Sequence, residues 1–157
     1  MNPDVAEPTL VASFSGCATQ EDLQRCMALS EVVCEQTAAG ASEAYAIQLA
    51  VEEVCTNIVS YGYAGQTPGP MELEFWLLQK PQRALKILIH DRAPPFDPES
   101  APEPDLEAEL EDRQIGGLGW FLIKKLMDEF EYTPDTERGN RLRLIKHLGG
   151  PAGAAKP

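Results

Sequence analysis

Two pairs of strand-like runs, each joined by a short turn, most strongly constrain how this chain can fold. The first pair is Met71–Gln79 and Ala84–Asp91, with four residues between the runs. The second pair is Glu129–Pro134 and Asn140–Leu148, joined through a turn that ends at Gly139. Such connections are typical of antiparallel β-hairpins. The chain therefore fails the alternating strand and helix pattern of a doubly wound parallel fold.

Helical stretches separate the strand-like runs. The first is expected to be capped by Thr19, with Asp22 at the capping-box position, and to run up to Gly40. The second opens at Ser42 and ends at Gly62, with an apolar face of Ile47, Ala50, Val51, Val54 and Ile58. The third follows a glycine cluster and carries Leu118, Phe121, Leu122 and Leu126. With a short first strand from Thr9 to Ser15, this order predicts an α+β fold, a two-layer sandwich with helices on one face of a mixed, mostly antiparallel sheet.

The length of 157 residues fits one domain. We predict a flexible N-terminus over residues 1–8, one domain over 9–148 and a flexible tail over 149–157. Inside the domain, residues 92–114 show no regular spacing of apolar residues. They hold eight acidic side chains and two arginines, so their net charge of −6 is half of the chain's −12. Five prolines lie in the same segment. This composition predicts an extended, self-repelling loop whose order depends on Mg²⁺ or on a basic partner surface.

The excess of acidic residues excludes some functions. With 25 Asp and Glu against 13 Lys and Arg, most of the surface would repel a polyanion, so no direct nucleic-acid partner is expected. No apolar run approaches the roughly 20 residues that span a bilayer, so no membrane partner is expected either. The four cysteines show no metal-ligand spacing and are expected to be mostly buried thiols in a reducing compartment. We therefore predict a cytoplasmic protein.

Two polar residues on the second helix are candidates for chemistry. Glu53 and Asn57 are four residues apart, so they share a helical face next to the apolar stripe. A carboxylate can act as a general base, and an amide oxygen suits Mg²⁺. The alternative is that both side chains are ordinary solvated positions, which the spacing alone does not exclude.

Two further features point to a ligand. Asp91 ends the run Ala84–Asp91, where a carboxylate can accept a hydrogen bond from a ligand amino group or simply initiate a turn. Glycines at 116, 117 and 119 precede the third helix, and free backbone N–H groups at a helix start can bind phosphate. No Walker A sequence follows them, and a purely structural helix entry is the alternative.

Together these segments resemble a known family. The runs VEEVCTNIVSYGY, DRAPPFDP and GGLGWFLIKKLMDEFEY resemble, in order and spacing, the N, G1 and G2 boxes of the GHKL (histidine kinase-like) ATPase superfamily. More narrowly, they resemble the stand-alone anti-sigma factor serine kinases of the RsbW type. The resemblance extends from about Thr9 to Leu148.

The resemblance implies roles for individual residues. It implies Glu53 as general base, Asn57 as the Mg²⁺ ligand, and Asp91 as the acceptor of the adenine amino group. It places Gly117, Leu118 and Gly119 at the phosphates of ATP. It also implies that residues 92–114 are a lid over the nucleotide, in which Arg113 can contact phosphate or a partner.

The resemblance also implies function and partners. The chain would be an ATP-dependent serine/threonine-protein kinase that phosphorylates an anti-sigma factor antagonist of the STAS type and sequesters a sigma factor. The resemblance leaves open whether the chain forms a homodimer. Ala93 and Pro95 occupy glycine positions of the usual G1 box, and Arg143 stands where relatives often carry a small hydroxyl residue. Ala93 and Arg143 support an alternative, a catalytically weak or inactive switch whose partner choice depends on nucleotide.

Overall fold

The predicted strands form one sheet in a computed structural model that describes residues 7–95 and 117–149. The strands are β1 (Thr9–Cys17), β2 (Pro70–Leu78), β3 (Ala84–Asp91), β4 (Glu129–Thr133) and β5 (Asn140–His147). The helices are α1 (Gln20–Gln36), α2 (Ala41–Asn57) and α3 (Gly117–Leu126), and a π-helical turn, Ile58–Gly62, continues α2. Most of the predicted lid, including Arg113, lies outside the described residues. The predicted domain boundaries at residues 8 and 149 stay predictions.

The sheet has the strand order β1-β2-β3-β5-β4, and within the described residues every pairing is antiparallel. Both predicted hairpins are present, since β2 pairs with β3 and β4 pairs with β5. The β3–β5 pairing joins them, and it places Asn140 opposite Asp91. That pairing is non-local, so the turns alone do not define it.

The helices cover one face of the sheet and bury a continuous core. The apolar face predicted for α2 is confirmed, because Ile47, Val51 and Val54 are buried. They belong to the same cluster as the inward residues of the central strands, among them Phe75 and Ile89. Alternation along β5 sends Arg141 and Arg143 to the opposite, open face, since Leu142 and Leu144 are buried. The α+β two-layer fold is confirmed.

The helix ends differ in detail from the prediction. Thr19 caps α1 as expected, with its hydroxyl accepting from Asp22 N at 3.1 Å, but the Asp22 carboxylate accepts from Cys17 N instead of closing a capping box. Helix α1 stops at Gln36, before Gly40, and Ala38 turns the chain with a φ of 53°. Regular α-helix in α2 ends at Asn57, five residues before Gly62, because the chain changes there to a π-helical turn.

Residues 148–149, which follow β5, are fastened beside the start of β3. Leu148 N donates to Arg83 O at 2.9 Å, and Gly149 N donates to the Glu43 carboxylate at 2.7 Å. The Arg83 guanidinium donates to the carbonyls of Gly149 and Thr37. These contacts form a clasp at the end of the sheet away from Asp91, since Arg83 and Asp91 flank opposite ends of β3.

The cysteines are all free, and Cys26, Cys34 and Cys55 are buried while Cys17 is exposed. The prediction of buried thiols therefore holds for three of them. Among the described helices, none is long and apolar enough to cross a membrane.

Candidate functional site

A cavity of about 480 Å³ opens between the end of α2, the end of β3 and the start of α3. Its lining includes two of the residues selected from sequence, Asn57 and Asp91. Apolar side chains from both layers make much of the rest of the wall: Val54, Ile58, Ile89, Trp120 and Leu142. A concave, mainly apolar site with a few polar groups is typical of a small-molecule pocket.

Asn57 is the last residue of α2 and presents an unused amide to this cavity. Its Nδ2 is buried and has no hydrogen-bond partner among the described residues. A buried polar group without a partner is costly, so a ligand that pairs with this amide would remove the cost. The amide can offer its oxygen to a hard cation and its nitrogen to a phosphate oxygen. Asn57 therefore fits the Mg²⁺ and phosphate end of a nucleotide.

Glu53 lies one turn before Asn57 and borders the start of α3. It is half-buried, and burial raises the pKa of its carboxyl, with a further contribution from the neighbouring Glu52 charge. A Cβ atom on Gly119 would lie only 2.3 Å from Glu53 Oε2, so the glycine makes room for the carboxylate. The structure thus brings Glu53 and Gly119 together, although neither is among the residues that line the cavity. Gly117 and Leu118 form the first turn of α3.

Asp91 ends β3 with its carboxylate in the cavity wall. Burial raises its pKa, while hydrogen bonds from Asn140 and from the Ala93 backbone oppose that rise. Both donors reach Oδ1, from Asn140 Nδ2 at 2.9 Å and from Ala93 N at 2.8 Å. Oδ2 takes part in neither bond, so it can accept from a ligand amino group. His90, the preceding residue, faces the other side of the sheet, where Glu72 contacts it.

Asn140 is a site residue that the sequence reasoning missed. Its Nδ2 donates to Ala93 O at 2.8 Å as well as to Asp91, so one amide holds the carboxylate and the backbone two residues later. Gly139 precedes it with a φ of 93°, and a Cβ there would lie 2.6 Å from Asp91 O. A polar Asn at an inward position of an apolar strand was the available signal, but its partner depends on the β3–β5 register.

Aromatic residues form a second missed part of the site. Tyr61, Trp120 and Tyr132 line the cavity. Trp120 and Tyr132 meet edge to face, with ring centroids 6.5 Å apart. Flat apolar walls of this kind suit a planar base.

The three residues that depart from the GHKL sequence pattern divide between the cavity and the open face of the sheet. Ala93 is buried and lines the cavity, and a Cβ on Gly62 would be 3.2 Å from the Ala93 methyl group. Pro95 also lines the cavity. Arg143 lies on the open face of the sheet, with Nη1 3.3 Å from Glu129 Oε1. Of the three, only Ala93 and Pro95 therefore lie where they can affect a ligand in the cavity.

The family model described as the histidine kinase-like ATPase domain matches residues 17–146. The chain belongs to this family. The match includes α2, the end of β3 and the start of α3, which together surround the cavity. The sequence-based recognition of the family is confirmed.

Curated relatives within the histidine kinase-like ATPase family are named as kinases. The chain is 35% identical over 106 residues to the serine-protein kinase RsbW of Halalkalibacterium halodurans, covering 65% of this chain and 61% of that protein. It is 31% identical over 93 residues to RsbW of Listeria monocytogenes, covering 57% of each protein. It is 30% identical to the serine/threonine-protein kinase BtrW of Bordetella bronchiseptica, covering 66% of this chain and 70% of BtrW. The matched region thus spans 61% and 57% of the two RsbW proteins.

Solved structures of this family share the fold. The RsbU and RsbW domains of a Mycobacterium tuberculosis protein match with a TM-score of 0.63 at 16% identity, covering 96% of this chain and 35% of that one. The histidine kinase domain of a blue-light activated kinase from Erythrobacter litoralis matches with a TM-score of 0.51 at 16% identity, covering 82% of this chain and 60% of that one. At such identities the likeness establishes the architecture alone.

Proposed function

We propose that this protein is an ATP-binding anti-sigma regulatory factor with serine/threonine-protein kinase activity. One observation carries the proposal: Asn57 with its unpaired amide and Asp91 with an available oxygen line the same cavity. The cavity of about 480 Å³ is of the size usual for small-molecule sites. The names of the RsbW and BtrW relatives support the kinase assignment.

Asp91 is the proposed base-recognition group. Its Oδ2 would accept a hydrogen bond from the 6-amino group of adenine, since Asn140 and Ala93 already occupy Oδ1. A 6-oxo base presents an acceptor at the same position and would leave Oδ2 of the buried carboxylate without a donor, which is costly. The apolar wall on either side would cover the faces of the base.

The end of α2 and the start of α3 are the proposed phosphate end. Asn57 would hold Mg²⁺ through its amide oxygen, and the first turn of α3, Gly117, Leu118 and Gly119, would direct backbone N–H groups at the phosphates. Mg²⁺, when bound, neutralises phosphate charge. Glu53 would accept the proton of the attacking serine or threonine hydroxyl, and its raised pKa brings it closer to neutral pH, where a general base is most effective.

The proposed partners are an anti-sigma factor antagonist of the STAS type, which supplies the acceptor hydroxyl, and a sigma factor that the protein sequesters. A cytoplasmic location stays a prediction, as does the contact of Arg113 with the phosphates. Whether the protein forms a homodimer stays open. The excess of acidic over basic residues supports the proposal that nucleic acid is not a direct partner.

The test is transfer of the γ-phosphate of ATP to the cognate antagonist. We expect Glu53→Gln to lower the transfer rate on the order of a hundredfold or more, as for removal of a general base, while ATP still binds. Glu52→Gln is the matched control, because the adjacent Glu52 is exposed and undergoes the same loss of charge. Equal transfer by Glu53→Gln and wild type would contradict the base assignment. Wild-type protein that binds ATP and the antagonist without transfer would favour the nucleotide-dependent switch.

A further inference from the structure

The hydroxyl of Tyr63 joins three segments of the chain, and two of them, the end of α2 and the end of β3, border the cavity. Tyr63 follows the π-helical turn at the end of α2 and is buried. Its hydroxyl donates to Pro70 O, at the start of β2, at 2.7 Å and accepts from Arg92 N, directly after Asp91, also at 2.7 Å. One side chain thereby connects the Asn57 end of the site to the Asp91 end.

The two residues that follow Asp91 are held from both sides of the cavity. Asn140 Nδ2 binds Ala93 O, and the Ala93 N–H binds the Asp91 carboxylate. The Arg92 N–H is the remaining polar group of this turn, and Tyr63 is its acceptor. Together these hydrogen bonds hold the turn in place.

We propose that Tyr63 is a positioning residue for nucleotide recognition, whose hydroxyl fixes Asp91 relative to α2 and thereby determines the preference for a base with a 6-amino group. The inference rests on the proposed function. Tyr63 does not line the cavity and acts through the Asp91–Arg92 peptide. Asn57 lies six residues before Tyr63, so a change in the Tyr63 contact alters the spacing between the two ends of the site.

The ring and the hydroxyl of Tyr63 can be separated by mutation. The ring packs on Gly69, where a Cβ would lie 2.4 Å from Tyr63 Cε1. A phenylalanine ring fits the same space, so Tyr63→Phe removes the hydroxyl and keeps the packing. The Arg92 N–H and the Pro70 carbonyl then lose their partner, while the hydrogen bonds to the Asp91 carboxylate from Asn140 and Ala93 N stay in place.

The experiment compares two nucleotides in the full chain. Dissociation constants for ATP and for inosine triphosphate, which carries a 6-oxo group in place of the amino group, are measured with Mg²⁺ for wild type, Tyr63→Phe and Tyr45→Phe. Tyr45 is 64% exposed on α2 and provides the matched loss of a phenolic hydroxyl away from the site. The ratio of the two constants is the readout, because partial unfolding lowers both affinities equally and leaves the ratio unchanged.

We expect the preference for ATP to fall about threefold to tenfold in Tyr63→Phe, the equivalent of one hydrogen bond, and to be unchanged in Tyr45→Phe. Gly69→Ala displaces the Tyr63 ring without changing its chemistry, so we expect the same direction of change there. A ratio within twofold of wild type in both Tyr63→Phe and Gly69→Ala overturns the inference. Wild type that binds neither nucleotide, or binds both equally, overturns the proposed function instead.

Discussion

Replacing Asn140 by alanine should weaken the folded state in a pH-dependent way. The change removes two buried hydrogen bonds, one to the Asp91 carboxylate and one to Ala93 O. A hydrogen bond to an ionised group contributes about 1.5–3 kcal/mol and a neutral one about 0.5–1.5 kcal/mol. The free energy of unfolding at pH 7 should therefore fall by about 2–4 kcal/mol in Asn140→Ala.

The pH dependence follows from Asp91. Folding raises the Asp91 pKa above its ordinary 3.8, so ionised Asp91 lowers the stability of the folded state, and this cost is lost as the pH falls through the folded pKa towards 3.8. The bond from Asn140 opposes the rise, so Asn140→Ala raises the Asp91 pKa further. Its destabilisation should be smaller at pH 4 than at pH 7, by up to about 1 kcal/mol, because a larger share of Asp91 is protonated at pH 4 and a protonated carboxyl accepts only a neutral hydrogen bond.

Urea unfolding at the two pH values measures both quantities. Other titratable or charged groups near Asp91 are His90 and Arg92 on adjoining residues and Tyr63 from the end of α2. The same pair of measurements on Asn57→Ala subtracts the contributions that these groups make in both variants.

Asn57→Ala is the matched control because it deletes the same amide from the same cavity. The Asn57 Nδ2 is buried and has no partner among the described residues, so its removal relieves a cost, and alanine also favours the helix. Asn57→Ala should therefore not lower stability at either pH. A cost for Asn140→Ala that equals that of Asn57→Ala, or that is the same at pH 4 and pH 7, would refute the assigned role of Asn140.

Three further predictions concern the cavity and the open face. Gly119→Ala should lower phosphoryl transfer on the order of tenfold to a hundredfold, because its Cβ displaces the Glu53 carboxylate; unchanged single-turnover rates would contradict it. Ala93→Gly should lower the ATP dissociation constant about fivefold by relieving crowding in the cavity, and calorimetry can measure that constant. The same change should lower the free energy of unfolding by roughly 0.5–1 kcal/mol. Arg143→Ala should leave ATP affinity within about twofold, since Arg143 lies on the open face of the sheet. Its partly exposed ion pair with Glu129 contributes at most about 1 kcal/mol to stability. A larger loss of ATP affinity would place Arg143 in the site.

The sequence predicted the elements well where the signal is local. Period-two alternation gave β3 as Ala84–Asp91, and the apolar spacing gave the buried face of α2. Glu53 and Asn57 could be selected because one helix sets their separation. Helix ends were less accurate, since the end of regular helix at Asn57 depends on a π-helical turn for which the sequence carries no known signature.

The missed residues depend on contacts between distant segments. Asn140 binds Asp91, 49 residues earlier in the chain, and Tyr63 binds Arg92, 29 residues later. Neither contact follows from periodicity, because each requires the register of β3 against β5 or the path of the chain after α2. The roles of Ala93 and Arg143 could not be separated from sequence for the same reason, as only the strand pairing places one in the cavity and the other on the open face.

The clasp at residues 148–149 and the Asp91 cavity lie at opposite ends of one strand, so stability can be changed at one end and ligand binding at the other. Arg83 anchors the clasp at one end of β3, and Asp91 lies at the other end, about 25 Å away for eight residues of strand. Variants at the clasp and variants at the cavity are distant enough to be additive. The clasp therefore offers a place to raise or lower the melting temperature while the chemistry of the nucleotide site is left as it is.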